Sequence, residues 1–455
     1  MKITLTNHLL LTEIPSDFLR ELRARLTIPN PAFLDAVKMG RWTGNLEEEL
    51  CFYRAECGGL STPRGFIHQL IGLAKRENIP YVIEDRRRIF PEVEIHFAGS
   101  LKPFQEEAVD AMLRHDFGTL PAPTGSGKTV VALAIIAARR QPALVIVHTK
   151  ELLYQWVERI GQFLQIPKDE IGVIGDGKMK IGDKITVGII NSIYPIASTL
   201  KDHFGHIIVD ECHRTPSRTF TEAVSAFDCR FMLGLSATPW RRDGLSKLIF
   251  WHVGDVQHQV DQEALVEEGD ILRAEVVVRE TRFTSCHDAS EEYPQMLSEL
   301  TENRERNFLI IQDVIAEASN GGGICLVLTD RKEHCHALQD MLSKQDMNAD
   351  VLTGSVCNGE RRAIVERLDS GDVKVLIATG QLIGEGFDCK GLSTLFLATP
   401  IKFSGRLTQY LGRILRPAPG KDRARVFDYV DANVPVLQAS ARARQRVYEG
   451  RATNV

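Results

Sequence analysis

The sequence predicts an α/β protein with two tandem lobes, each a parallel sheet with crossover helices, behind a small α+β domain. Three observations carry this. From about Pro103 onward, short apolar runs alternate with helical patterns in two successive rounds, the rhythm of parallel strands joined by crossover helices. At 455 residues the chain is too long for one simple core. Residues before about Ala98 do not follow that rhythm. The expected division is residues 1–97 as the small domain, 98–265 as the first lobe, 266–435 as a linker and second lobe, and 436–455 as a basic tail.

In the first round the strand candidates are Ala143–His148, Thr186–Ile190, His206–Asp210 and Phe231–Ser236, with helices at Lys128–Ala138 and Glu151–Phe163. The second round offers strands at Gly323–Thr329, Asp350–Leu352, Lys374–Thr379, Thr394–Ala398 and Arg425–Tyr429. Its helices are Lys332–Leu342, Glu360–Leu368 and Ser404–Leu415. The stretch Glu267–Pro294 is acidic and irregular, which marks it as the inter-lobe linker. Gln438–Arg451 carries Arg442, Arg444, Arg446 and Arg451, and reads as a basic helix or a frayed end.

Composition bounds the function. Charged residues make up 25% and hydrophobic residues 44%, as in an ordinary soluble globular protein. A net charge of −5 gives no global basic footprint, so any nucleic-acid contact must rest on local clusters of Lys and Arg. Nine cysteines without a C-x-x-C pair point to reduced thiols rather than a disulfide framework or a zinc site. The Leu9–Leu11 run is soon followed by Glu13 and Asp17, unlike a signal peptide. The longest apolar run, Val130–Ala138, stops at Arg139-Arg140 and is too short to span a bilayer. A cytoplasmic protein without membrane partners is expected.

Two motifs specify nucleotide chemistry. Pro121-Ala122-Pro123-Thr124-Gly125-Ser126-Gly127-Lys128-Thr129 opens the first long helix. Its glycines let backbone N–H groups curl around phosphates, and the helix N-terminus adds its positive end. Lys128 is placed to reach the β- and γ-phosphates, and the Thr129 hydroxyl to ligate Mg²⁺. Ala122 stands where the generic pattern has Gly. His206-Ile207-Ile208-Val209-Asp210-Glu211-Cys212-His213 is an apolar run ending in two carboxylates, at the strand end where open α/β sheets place ligands. Asp210 is expected to hold the metal and Glu211 to activate water. Ser236-Ala237-Thr238-Pro239 follows another strand, where Ser236 and Thr238 can bond His213 and report on the γ-phosphate. In the second round, Ala378–Asp388 is a loop punctuated by Gly384 and Gly386. Gln409, Arg413 and Arg416 share one helical face by their i, i+4, i+7 spacing, and an arginine fork suits a γ-phosphate.

The ordered series Phe104-Gln105, Ala122–Thr129, Asp210–His213, Ser236–Pro239, Ala378–Asp388 and Gln409–Arg416 resembles the superfamily 2 helicases of the DEAD/DEAH-related type. The likeness covers about Leu101 to Asp431. It implies two RecA-like lobes, ATP with Mg²⁺, and Gln105 beside Phe104 reading adenine, with Gly386 and Asp388 also at the nucleotide. By the same likeness, nucleic-acid contacts fall to His148-Thr149-Lys150, Asn191-Ser192, Thr329-Asp330-Arg331 and Thr379. Trp240-Arg241-Arg242-Asp243 resembles the Arg-Glu-Asp segment of XPB-like DNA helicases, with Arg242 in place of Glu. Asn30-Pro31 and Thr62–Phe66 resemble the small DNA-recognition domain of the XPB/UvsW-like group. There Arg86-Arg87-Arg88, Lys75-Arg76 and the aromatics Phe52, Tyr53 and Tyr81 can meet phosphates and bases. The implied activity is an ATP-dependent helicase or translocase acting on forked, branched or junction DNA in repair or recombination. A monomer suffices, because both arginines and Lys128 lie in one chain. The alternatives are an RNA helicase and the motor subunit of a restriction or defence assembly.

Overall fold

The computed structural model describes residues 1–56, 58–214, 218–237, 245–289, 291–320, 323–380, 389, 391–401, 404–418, 421 and 423–449. Two compact units divide the chain. One is Met1–Ala122 with Gly127–Val260; the other is Asp261–Val455, together with the short stretch Pro123–Ser126.

The first unit contains two main sheets. The strands β1 (Lys2–Leu5), β2 (His8–Thr12), β5 (Arg54–Glu56), β6 (Gly59–Pro63) and β7 (Val82–Asp85) form one sheet in the order β5-β6-β2-β1-β7. The Leu9–Leu11 run lies in β2. Ile3, Leu5, Leu9, Leu11 and Leu60 are buried at the alternating positions that a one-sided sheet requires. The short strands β3 (Thr27–Pro29) and β4 (Glu49–Cys51) pair separately.

The second sheet comprises β8 (Phe117–Pro121), β9 (Ala143–Val147), β10 (Gly172–Gly175), β11 (Lys178–Lys180), β12 (Ile185–Ile189), β13 (His206–Val209) and β14 (Phe231–Ser236). Their order is β11-β10-β12-β9-β13-β14-β8, parallel throughout except for the antiparallel hairpin of β10 and β11. Ile207, Ile208 and Val209 are fully buried, as expected of a central parallel strand covered on both faces.

One hydrophobic cluster runs through both sheets, joining Phe66, Leu70 and Leu73 to Phe227, Ile249 and Trp251. The turn Arg64–Phe66 is the keystone. Arg64 is buried and donates from Nη1 to the carbonyls of Phe227 (3.3 Å) and Cys229 (2.9 Å). A side chain at Gly65 would meet the Trp251 carbonyl oxygen at 2.7 Å, so only glycine allows this approach.

The expectation that Arg86-Arg87-Arg88 meets phosphates is corrected here. Arg87, with 4% of its side chain exposed, pairs with Asp85 and Asp116, each at 2.7 Å. Arg88 pairs with Asp228 at 2.8 Å and with Asp202, while Arg86 bonds Glu84. Arg87 and Arg88 thereby tie the small sheet to the larger one, while the Arg86 pair stays within the small sheet. Sequence showed the basic run but not the distant aspartates.

In the second unit, β15 (Ala274–Glu280), β16 (Ile324–Thr329), β17 (Ala349–Leu352), β18 (Val375–Thr379), β19 (Leu392–Leu397) and β20 (Ala424–Val430) form a parallel sheet. Its order is β15-β20-β19-β16-β18-β17. The stretch read as an irregular linker therefore contains an edge strand, β15. The expected basic tail is a docked helix, Pro435–Tyr448, in which buried Arg444 bonds Asp428 at 2.6 Å. Among the described residues, no helix is long and apolar enough to cross a membrane.

Candidate nucleotide and nucleic-acid site

Three adjacent strands, β8, β14 and β13, deliver the nucleotide motifs of the first unit. In register, Ser236 stands beside Pro121 and Gly234 beside Val209, so the three strand ends lie on one edge of the sheet. The Ala122 N–H donates to the Ser236 carbonyl at 2.9 Å, joining the start of the glycine loop to the end of β14.

Gly125 and Gly127 have φ values of 98° and 80°, a region that a Cβ disfavours. A side chain at Gly127 would also meet the Gln105 amide nitrogen at 2.5 Å. Gln105 is buried at the first turn of the helix Pro103–Leu113, and its amide oxygen accepts from the Lys102 N–H at 3.0 Å. It therefore lies against the glycine loop. Phe104, its neighbour, is half-buried. Lys128 and Thr129 open the helix Lys128–Arg139; Lys128 Nζ donates to the Ala122 carbonyl at 3.0 Å. Ser126 Oγ donates to the Pro123 carbonyl at 2.8 Å, in the same short stretch as Thr124.

Asp210 is 8% exposed and accepts from Trp156 Nε1 at 2.8 Å and from the Glu211 N–H at 2.9 Å. Burial, then the adjacent Glu211 charge, pushes its carboxyl up to about 6, while the Trp156 bond and the Lys128 charge pull the other way. Glu211 has a left-handed φ of 51°, an uncommon backbone for a residue with a side chain. Its Oε2 lies 3.1 Å from His213 Nδ1, and that nitrogen lies 3.2 Å from Ser236 Oγ. A chain of polar groups thus runs from Glu211 through His213 to the end of β14. Trp156 was not foreseen as a partner. It shares the buried face of the helix Lys150–Leu164 with Leu153, Val157 and Ile160, and a buried indole N–H needs an acceptor.

The donor set fits a phosphate-bound divalent cation. Asp210 is a buried carboxylate whose ionised form is disfavoured by desolvation, a cost that a nearby cation relieves. The glycine loop offers backbone N–H groups at a helix N-terminus.

The nucleic-acid candidates fare differently. Thr149 caps its helix, its hydroxyl accepting from the Leu152 N–H at 3.3 Å, and Lys150 pairs with Asp176 at 2.6 Å. The His148 ring stacks on Phe220 at 5.5 Å. Asn191 is exposed and Ser192 half-buried in the short helix Ile190–Ile193.

In the second unit, Thr329 is 1% exposed, with its hydroxyl 2.8 Å from His334 Nδ1. The surface contact expected of that side chain is therefore corrected to an internal one. His334 Nε2 lies 2.9 Å from Asn307 Oδ1, so the network continues inward. Arg331 donates to the Pro294 carbonyl at 3.3 Å, and Thr379 ends β18 half-buried. Gln409 and Arg413 lie on the helix Ser404–Ile414, with Arg416 just beyond, all three half-buried. Tyr410 of that helix donates to the Gly380 carbonyl at 2.7 Å, tying it to the end of β18. Lys421 Nζ donates to the Arg416 carbonyl at 2.7 Å. Thr238, Arg241, Arg242, Gly386 and Asp388 lie outside the described residues.

Comparison with known families agrees with this arrangement. Residues 98–241 match the family described as "Type III restriction enzyme, res subunit", and residues 306–418 match the "Helicase conserved C-terminal domain". The "DNA 3'-5' translocase XPB2" of Sulfurisphaera tokodaii is 37% identical over 165 residues, covering 36% of this chain and 37% of that protein. The two matched domains together make the chain a superfamily 2 helicase.

A mimivirus protein (Acanthamoeba polyphaga mimivirus) provisionally named an ATP-dependent RNA helicase is 24% identical to this helicase over 377 residues. That match covers 80% of this chain and 71% of the viral protein. The fold is shared with a fragment provisionally assigned as the HsdR subunit of a type I restriction enzyme from Vibrio vulnificus. The TM-score is 0.57 at 19% identity, covering 76% of this chain and 66% of that one.

Proposed function

We propose that this helicase is a nucleic-acid-stimulated ATPase that translocates along or remodels DNA, acting on forked, branched or junction substrates. The observation that carries this reading is the meeting of Lys128, Asp210, Glu211 and Ser236 at the ends of β8, β13 and β14. Lys128 releases the Ala122 carbonyl to take phosphate oxygens. Thr129 and Asp210 hold Mg²⁺, which neutralises phosphate charge when bound. Glu211 orients the attacking water and takes its proton, with His213 relaying the state of the site to Ser236. Gln105 reads the adenine edge. Gln409, Arg413 and Arg416 stabilise charge on the transferred phosphoryl group, where an arginine finger is worth about 10³ to 10⁵ in rate. Little covalent chemistry falls to the protein; positioning and charge supply most of the acceleration.

The choice of DNA follows the XPB2 relative; the mimivirus relative favours RNA as a second reading. One experiment separates them. ATP turnover with Mg²⁺ is measured on forked, duplex and single-stranded DNA and on RNA, with Glu211→Gln as the control. The expected result is strongest stimulation by forked or duplex DNA, with turnover abolished in Glu211→Gln while nucleic-acid binding survives. Stronger stimulation by RNA than by any DNA establishes the second reading, and turnover retained by Glu211→Gln sinks the site assignment.

A further inference from the structure

The hairpin of β10 and β11 has no role in the reading above, yet it is built with unusual economy. Asp176 and Gly177 join its strands with φ values of 53° and 74°. Two consecutive left-handed residues make the two-residue turn that matches the right-handed twist of a hairpin. Asp and Gly are the residues that such a turn favours.

The hairpin lies at the edge of the first unit's large sheet, and all three residues of β11 are exposed, Met179 at 59%. Tyr154, on the helix that begins at Lys150, reaches this turn. Its hydroxyl donates to Asp176 Oδ2 at 2.6 Å, while Lys150 Nζ donates to Asp176 Oδ1 at 2.6 Å. Lys178 Nζ stands 5.5 Å from the centre of the Tyr154 ring. Lys180 donates to the Asp169 carbonyl. One carboxylate therefore fixes both a cation and an aromatic ring. Lys150, Lys178 and Lys180 stand around this turn, and Tyr154 is 38% exposed.

We propose that this hairpin and Tyr154 form a contact for a single strand of nucleic acid, extending beyond the loop His148–Lys150 already assigned to that role. The strand's phosphates meet Lys150, Lys178 and Lys180, and one base stacks on Tyr154. This rests on the reading that the chain acts on nucleic acid. An ammonium has three donors, so Lys150 and Lys180 keep N–H groups for phosphate after their present bonds. The Asp176 bond holds the ring in place before binding, so little ordering cost remains. Cations flanking an exposed aromatic on a rigid scaffold are the pattern by which strands are bound without base-specific readout. The pairing with Lys150 draws the Asp176 carboxyl below its usual range.

Binding of labelled oligo(dT) and oligo(U) to the full chain, across a series of salt concentrations, tests this. Tyr154→Ala is expected to weaken binding of both strands about tenfold, and Tyr154→Phe less, because the ring remains. Lys178→Gln with Lys180→Gln is expected to flatten the salt slope by about 1.4, roughly 0.7 for each phosphate lost. Unchanged melting temperatures show that these exposed substitutions leave the fold intact. If the unmodified protein binds both strands and the variants match it in affinity and slope, the proposal is overturned alone. If the unmodified protein binds neither strand, the proposal falls together with the functional reading.

Discussion

At the scale of single residues, His206 shows what the first unit's core demands. It opens β13, the strand that delivers Asp210, and is 1% exposed, with Nδ1 lacking a hydrogen-bond partner among the described residues. Burial, with a smaller push from Arg139, lowers its imidazole to about 3. His252 is lowered to about 4 and His334 to about 3, in both cases chiefly by burial. Each folded value lies below the unfolded one, near 6.5. The neutral rings therefore contribute their full stability above about pH 6.5, and that stability is lost as pH falls from there toward 4. Each histidine removes about 1.4 kcal/mol per pH unit once the unfolded chain is protonated. The midpoint of denaturant unfolding is thus expected to drop steeply between pH 6.5 and 4.5. His206→Leu is expected to make that drop shallower by one proton's worth; an unchanged pH slope refutes the assignment. These burials were only partly legible. The apolar run His206–Val209 announced a buried strand, whereas the enclosure of its first ring depends on Arg139 and Phe231, residues far from it in sequence.

At the scale of elements, the helix Ser404–Ile414 joins local pattern to function. Its arginine spacing was readable, and so was its helical form, since i, i+4 and i+7 fall on one face. Tyr410 pins this helix to Gly380, so Arg413 is presented from a rigid element rather than a loop. Arg413→Ala is therefore expected to lower the rate of ATP hydrolysis by about 10³ while changing ATP affinity little, as single-turnover kinetics beside nucleotide titration can show. A parallel loss of affinity and rate marks Arg413 as a binding group instead. The strands and helices that alternate most regularly were legible to within a residue or two, among them Phe231–Ser236 and Lys332–Ser343. Strand β15 was not. Its Val276-Val277-Val278 run is half-exposed, so it lacks the buried signature, and its one strand partner among the described residues, β20, lies far along the chain. The tail read as a basic helix or a frayed end is a helix, and its Arg444 turns inward to Asp428, because a buried carboxylate on β20 requires a cation.

At the scale of the whole molecule, the small N-terminal sheet is held to the first parallel sheet by a shared core and by charges that face inward. Removing Met1–His96 takes away Phe66 and Leu70, which cover Phe227 and Trp251, and strips Asp228 and Asp116 of Arg88 and Arg87. It also leaves the carbonyls of Phe227 and Cys229 without Arg64 as their donor. Each buried polar group so exposed costs about 1–3 kcal/mol unless water replaces the partner, and domain stability is only about 5–15 kcal/mol. Truncation is therefore expected to unfold or aggregate the ATP-binding lobe rather than simply detach a DNA-binding module. A chain starting at Phe97 should show a weak thermal transition and poor binding of a fluorescent ATP analogue. Arg64→Ala should reproduce a milder form of the defect in the full chain, and Arg64→Lys should rescue it poorly, because a single ammonium nitrogen cannot serve both the two carbonyls that Nη1 meets and Met232 Sδ, which Nη2 meets at 3.1 Å. A truncated chain that melts as cooperatively as the parent and binds the analogue equally well would show that the two sheets are independent. In that case the inward-facing arginines contribute little, and the N-terminal residues return to the role of a separable recognition domain.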